Sequence, residues 1–241
     1  MTVIAVCSFK GAPGATTTAL ALTAAIAAHC DRPALLVEAD TAGGDLAALT
    51  GRPLDPGLAS LAASSRHEAV RPEVASHVQT LPAGGSVLLA STDPTEVAAN
   101  MTTLARRLLD AVQLAGYDAV VDAGRVHPSS PAVPLIERAD AAVVCISATV
   151  PAVEAVAVRR GWLTELLGGR GGLVLIGDST YDDVEITAAA GLPVVGRLPW
   201  DRRAVSALVG GPGPSPARSH LVRAARSLHD ALTKQLIGAM A

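Results

Sequence analysis

The segment Ser8-Phe9-Lys10-Gly11-Ala12-Pro13-Gly14-Ala15-Thr16-Thr17-Thr18 sets lysine, glycine and hydroxyl side chains between a short apolar run and a helical one. That order suits phosphate chemistry. Backbone N–H groups at a helix N-terminus point outward without partners, and the helix dipole adds partial positive charge. Glycines let the main chain approach phosphate oxygens closely, and a threonine hydroxyl opening the helix can ligate Mg²⁺. The plain alternative is a glycine turn between strand and helix with no ligand. Two further sets of residues bear on the choice. Leu35-Leu36-Val37 leads into Glu38-Ala39-Asp40, and carboxylates two apart on a strand share a face. Ala119-Val120-Val121 leads into Asp122, an acid at the carboxyl end of an apolar strand, the place from which such a group holds Mg²⁺ or its water.

Those residues need elements to position them. Strands are predicted at Thr2–Cys7, Ala34–Glu38, Ser86–Ala90, Asp118–Asp122, Ala141–Ser147, Gly172–Ile176 and Pro193–Gly196. Helices are predicted from the glycine turn to about Ala28, and over Gly57–Ala63, Pro94–Ala115, Pro151–Leu167, Asp183–Ala190 and Pro216–Ala239. Strands alternating with helices imply right-handed βαβ units and a three-layer αβα fold around a mainly parallel, twisted sheet. Ligands in such sheets sit at the carboxyl ends of the strands, where all three candidate segments fall. Residues 1–241 read as one unit, with Gly210–Pro216 (GGPGPSP) as a loop before a terminal amphipathic helix.

Within that frame, Lys10–Thr17, KGAPGATT, resembles the deviant phosphate loop KGGxGKTT of the ParA/MinD family. The resemblance implies that Lys10 reaches the phosphates of the partner subunit in an ATP-sandwich dimer. It implies that Gly11, Ala12, Pro13, Gly14, Ala15, Thr16 and Thr17 cradle the nucleotide, with Thr16 on Mg²⁺ and Thr17 near the α-phosphate. Ala12 stands where the family has glycine, and Ala15 where it has lysine. A hydrogen bond to a charged group contributes roughly 1.5–3 kcal/mol, so the missing lysine implies about one to two decades less affinity. Leu35–Asp40 is similar to the family's LLVDxD, which gives Asp40 the role of orienting the attacking water and puts Glu38 among the Mg²⁺ groups. Tyr117–Gly124 looks like YDxVIxDxxxG and makes Asp122 a metal group. Ala139–Ile146 resembles ADxVLLV, and Gly191–Asp201 resembles GLPVLGxLPxD, so that Pro199 and Asp201 enclose the adenine. Ile176-Gly177-Asp178 stands where the family has an asparagine reading that base. The matches run in order from Val3 to Asp201.

The fold implied is that of the P-loop NTPases, with ATP and Mg²⁺ as ligands. The function implied is an ATP-dependent dimerising switch that positions cargo through an adaptor protein: DNA, or a division, pilus or secretion assembly. A degenerate, non-hydrolysing scaffold of the same fold is the alternative. A ligase of the dethiobiotin-synthetase kind would need an acceptor-substrate motif that is not evident. Electron transfer of the nitrogenase-reductase kind would need a cysteine soon after Asp122.

Composition narrows the rest. Half the chain is apolar, mostly Ala, Val and Leu, with one Phe, two Tyr and two Trp, which suits a helix-covered parallel sheet better than a β-sandwich. Three cysteines without CxxC spacing, six scattered histidines, and no cationic leader or long apolar run suggest a cytoplasmic protein without a metal cluster. The net charge of −3 divides unevenly: seven Lys/Arg and two Asp from Arg197 onward give +5, leaving −8 for the remainder. Leu221, Ala225, Leu228, Leu232 and Leu236 recur at helical spacing. The same segment carries Arg202, Arg203, Arg218, Arg223 and Arg226, candidates for nonspecific contact with DNA phosphates. A membrane anchor ranks below both readings, because the terminal IGAMA lacks the bulky apolar face of an interfacial helix.

Overall fold

The computed structural model describes residues 1–10, 13–65 and 73–240. Eight strands form one sheet: β1 (Val3–Ser8), β2 (Ala34–Glu38), β3 (Gln79–Thr80), β4 (Ser86–Leu88), β5 (Asp118–Arg125), β6 (Ala141–Ser147), β7 (Gly171–Ile176) and β8 (Val194–Leu198). Their spatial order is β3-β4-β2-β5-β1-β6-β7-β8. Every neighbouring pair is parallel except β3 with β4. β1, β2 and β7 are buried along their whole length, which is why they read as unbroken aliphatic runs rather than alternating ones.

Two cores sandwich the sheet. Val3, Ala5 and Cys7 of β1 face one, Ile4 and Val6 the other, as a pleat of period two requires. The first core is covered by α3 (Leu58–Ser64), α4 (Pro94–Leu114), α5 (Val133–Arg138), α6 (Val150–Leu167) and α7 (Asp183–Ala190). The second lies under α1 (Ala15–His29), α2 (Leu46–Thr50), α8 (Arg202–Leu208) and α9 (His220–Met240). The architecture is the three-layer αβα fold expected.

The chain moves from β1 to β2 on one side, returns through β5, and continues to β6, β7 and β8 on the other. This reversal beside β1 opens a crevice at the strand carboxyl ends. Among the described residues, five elements lie outside the predicted set, namely β3, α2, α5, α8 and a 3₁₀ turn at Val74–His77, all of seven residues or fewer and too short for a clear periodic signal. The terminal helix also starts later than predicted. Pro216–Arg218 forms a separate 3₁₀ turn, and the Ser219 hydroxyl accepts the Val222 N–H at 3.1 Å, capping α9 at His220.

Candidate nucleotide site

β1 ends at Ser8, and the chain turns through Phe9 and Lys10. Phe9 packs against the core with the Arg159 guanidinium 5.4 Å above its ring, anchoring the entry to the loop. Gly11 and Ala12 lie outside the described residues. Gly14 takes φ 86°, a left-handed conformation that a side chain disfavours, and α1 starts at the next residue. Its carbonyl accepts the Thr18 N–H at 2.8 Å. No side chain caps α1 and no acid lies in its first turn. The first-turn amides of α1 therefore face outward with the positive end of the dipole behind them.

Beside this turn stands Asp122, paired in the sheet with Val6 of β1 on one side and Glu38 of β2 on the other. It is 1% exposed. The Gly124 N–H donates to its Oδ1 at 3.0 Å, and the Thr16 side chain hydrogen-bonds the carboxyl. Its Oδ2 has no hydrogen-bond partner among the described residues. Burial, reinforced by the charges of Asp40 and Glu38, pushes the carboxyl up to about 7, against the opposing pull of the Thr16 and Gly124 hydrogen bonds. A buried acid with one unpartnered oxygen, beside a threonine on the cavity wall, is a hard-oxygen donor set. It fits Mg²⁺, which takes one or two protein oxygens and fills its remaining positions with phosphate and water. Among the described residues, no group of three or more His, Cys, Asp or Glu side chains gathers into a metal cluster of its own.

Asp40 lies two residues beyond β2, half-buried, and its Oδ1 accepts the Ala42 N–H at 2.8 Å. Burial raises its carboxyl above the ordinary range, while hydrogen bonds from the Ala42 and Arg125 amides act the other way. Glu38, which the resemblance puts among the Mg²⁺ groups, accepts three main-chain N–H groups. Its Oε1 accepts the Asp45 and Leu46 N–H groups at 2.8 Å each, and its Oε2 accepts the Ala90 N–H at 2.8 Å. β2 ends at Glu38, so Asp40 lies beyond the regular strand, and the charges of both acids act on Asp122.

Two adjoining cavities follow. A polar one of about 500 Å³ is lined by Pro13, Gly14, Ala15, Thr16, Thr17, Asp40, Asp45 and Arg125 among others. An apolar one of about 270 Å³ is lined by Ile176, Leu198, Pro199, Trp200, Asp201 and Leu221 together with Gly14 and Thr17. Gly14, Thr17, Trp200 and Val205 belong to both. Asp201 also caps α8, its Oδ1 accepting the Ala204 N–H at 2.9 Å. Lys10 is exposed and lines neither cavity, and neither does Asp178. Trp200 and Arg125 are the residues that the sequence did not single out. Each follows a marked position directly, Pro199 and Gly124 respectively, and that adjacency was the available signal.

No protein-family model and no curated protein matches the chain, but solved structures do. A ParA family ATPase from Chlorobium tepidum TLS superimposes with a TM-score of 0.74 at 20% identity, covering 95% of this chain and 99% of that one. The chain has the ParA/MinD fold. The septum site-determining protein MinD from Pyrococcus horikoshii OT3, complexed with Mg-ADP, gives a TM-score of 0.72 at 15% identity over 100% and 98% of the two chains. Cobyrinic acid a,c-diamide synthase from Mycobacterium smegmatis, with a bound ATP analog and magnesium, gives 0.68 at 18% over 98% and 95%. Structures of this fold thus include an ATPase, a septum site-determining protein and a synthase, and the choice of function must come from the site.

Proposed function

We propose that this protein binds ATP with Mg²⁺ and acts as a nucleotide-dependent dimerising switch that positions a cellular cargo, with weak or slow hydrolysis. The observation that carries the reading is the pair of cavities. An apolar slot and a polar chamber meet at Gly14, Thr17 and Trp200, matching a ligand with a flat base at one end and phosphates at the other.

In this reading the outward amides of α1, with Pro13, Gly14, Ala15, Thr16 and Thr17, receive phosphate oxygens. Pro199, Trp200 and Asp201 flank the base. Thr16 and Asp122 are the groups that would hold Mg²⁺, which supplies charge neutralisation across the phosphates when bound. Asp40, at the chamber wall, orients the attacking water as a hydrogen-bond acceptor. Lys10, exposed beside the chamber, extends to the phosphates of a second copy and ties dimerisation to nucleotide. The cargo is engaged through an adaptor protein on that dimer, in the cytoplasm. Arg202, Arg203, Arg218, Arg223 and Arg226 are all exposed and offer a phosphate-backbone contact for a DNA platform. No helix among the described residues is long and apolar enough to cross a membrane.

The deciding experiment combines calorimetry with ATP·Mg, phosphate release, and sedimentation with and without nucleotide. Weak binding, slow release abolished by Asp40→Ala, and nucleotide-dependent dimers are expected. No heat at millimolar ATP·Mg would overturn the reading. Ala15, whose methyl stands where the resembled loop has lysine, favours a second reading: a scaffold that binds nucleotide without turning it over. Binding with no release, indifferent to Asp40→Ala, would select it. Binding to random DNA that weakens steeply with salt would establish the platform, and salt-insensitive or absent binding would remove it.

A further inference from the structure

We infer that Arg125 is the phosphate-binding cation of this site. The inference rests on the nucleotide reading above and adds to it the residue that makes the polar chamber able to hold a polyanion. The chamber wall carries the carboxylates of Asp40 and Asp45, and Asp122 lies just behind it through Thr16. Among the residues lining it, Arg125 is the single Lys or Arg. Position 15, at the first residue of α1 and on the same wall, is an alanine, 7% exposed. The partial charge of a helix N-terminus, about half an elementary charge, does not balance two wall carboxylates, let alone a triphosphate. Mg²⁺ and the Lys10 of a second copy arrive from outside the chain; within one chain, Arg125 is the cation that the fold puts on this wall.

Its placement supports that task. Arg125 is the last residue of β5 and pairs with Ser8, the last residue of β1, immediately before the phosphate loop. The following amide, Val126 N–H, donates to the Ser8 carbonyl at 2.7 Å, so the arginine backbone is locked to the strand that delivers the loop. The residue is exposed, its amide hydrogen-bonds the Asp40 carboxyl, and its charge acts on that neighbouring acid. A guanidinium is planar, always charged and built to take two oxygens at once, which favours phosphate over a single carboxylate. So placed, the arginine adjoins both the acid read as positioning water and the chamber read as holding phosphate.

Calorimetry on the full chain with ATP·Mg, ADP·Mg and adenosine tests this, with Trp200 emission as a second readout. Arg125→Ala should weaken ATP·Mg about ten- to a hundredfold, ADP·Mg less, and leave adenosine within about twofold. Arg125→Lys should recover part of the loss. Ala15→Lys should restore affinity in the Arg125→Ala chain and add much less where Arg125 is present, because both cations would serve the same phosphates. Three results overturn the inference: ATP·Mg affinity unchanged in Arg125→Ala, an equal loss for adenosine, or strictly additive effects at positions 15 and 125. The first leaves the nucleotide reading intact. Only a native chain that binds neither ATP·Mg nor adenosine removes both.

Discussion

The carboxyl group of Asp40 rests directly on the Cα of Gly124: a Cβ added at Gly124 would lie 1.8 Å from the Asp40 Cγ. This contact joins the turn after β2, which supplies the chamber's acids, to the end of β5, which supplies its arginine. Gly124 also takes φ 57°, so both its shape and its backbone require glycine.

Gly124→Ala should therefore act on turnover before it acts on binding. The left-handed backbone costs an L-residue about 1–2 kcal/mol, and the methyl must displace Asp40 from the chamber wall. Phosphate release should fall at least about tenfold, the barrier change of roughly 1.4 kcal/mol that a misplaced group easily exceeds. ATP·Mg affinity by calorimetry should change by only a few-fold. Unaltered release would show that Asp40 does not serve the reaction from this position.

Trp200, 67% exposed, forms part of both cavities, while Trp162 packs partly buried against the core on the far side of the sheet. Base–aromatic stacking contributes about 1–3 kcal/mol, so Trp200→Ala should weaken adenosine and ATP alike by roughly five- to a hundredfold. Nucleotide should quench emission in the native chain and in Trp162→Phe, but not in Trp200→Ala. Quenching that survives loss of Trp200 would place the base elsewhere.

Glu38→Ala is expected to destabilise the fold by on the order of 3 kcal/mol, because at least two buried amides, those of Leu46 and Ala90, would lose their acceptor. Urea unfolding should show a lower midpoint with an unchanged slope. Gly44 packs against the same carboxylate, where a Cβ would come within 2.6 Å of Oε2. A loss of nucleotide affinity with no loss of stability would instead return Glu38 to the metal.

In metal-free protein, Asp122 makes stability depend on pH. Its folded value of about 7 lies above the ordinary 3.8, chiefly through burial, so the folded chain holds this proton more tightly than the unfolded one. The stabilisation is complete below pH 3.8 and is lost as pH rises to about 7. Measured by denaturant unfolding, Asp122→Asn should gain on the native chain across that window and keep a constant lead above it. Mg²⁺ should bind the native chain more tightly as pH rises through 7, since binding displaces the proton. A stability difference that is flat with pH would contradict the burial described here.

Much of the site was legible because its parts are local. Gly14 and Thr16 lie within one strand–turn–helix, and Asp122 ends a single apolar run, so the neighbours that define each are adjacent in the chain. Pro199 and Asp201 came from an extended match of segments, and the fold sets both in the apolar cavity with Gly14 and Thr17. Arg125, Trp200 and the true partners of Glu38 were not legible. Each depends on contacts between chain positions far apart, such as Glu38 with Ala90, for which no periodicity leaves a trace.

The one-dimensional pattern by itself determined the sheet-and-helix alternation, the outward amides at the start of α1, and the absence of a lysine at position 15, all consequences of backbone preference and short-range order. The tertiary structure alone decided which acid holds main chain and which faces the chamber, and which cation lines that chamber. Those outcomes follow from where β2 stops and how β5 registers with β1, because a charge's role is set by its distance to others across the sheet rather than by its place along the chain.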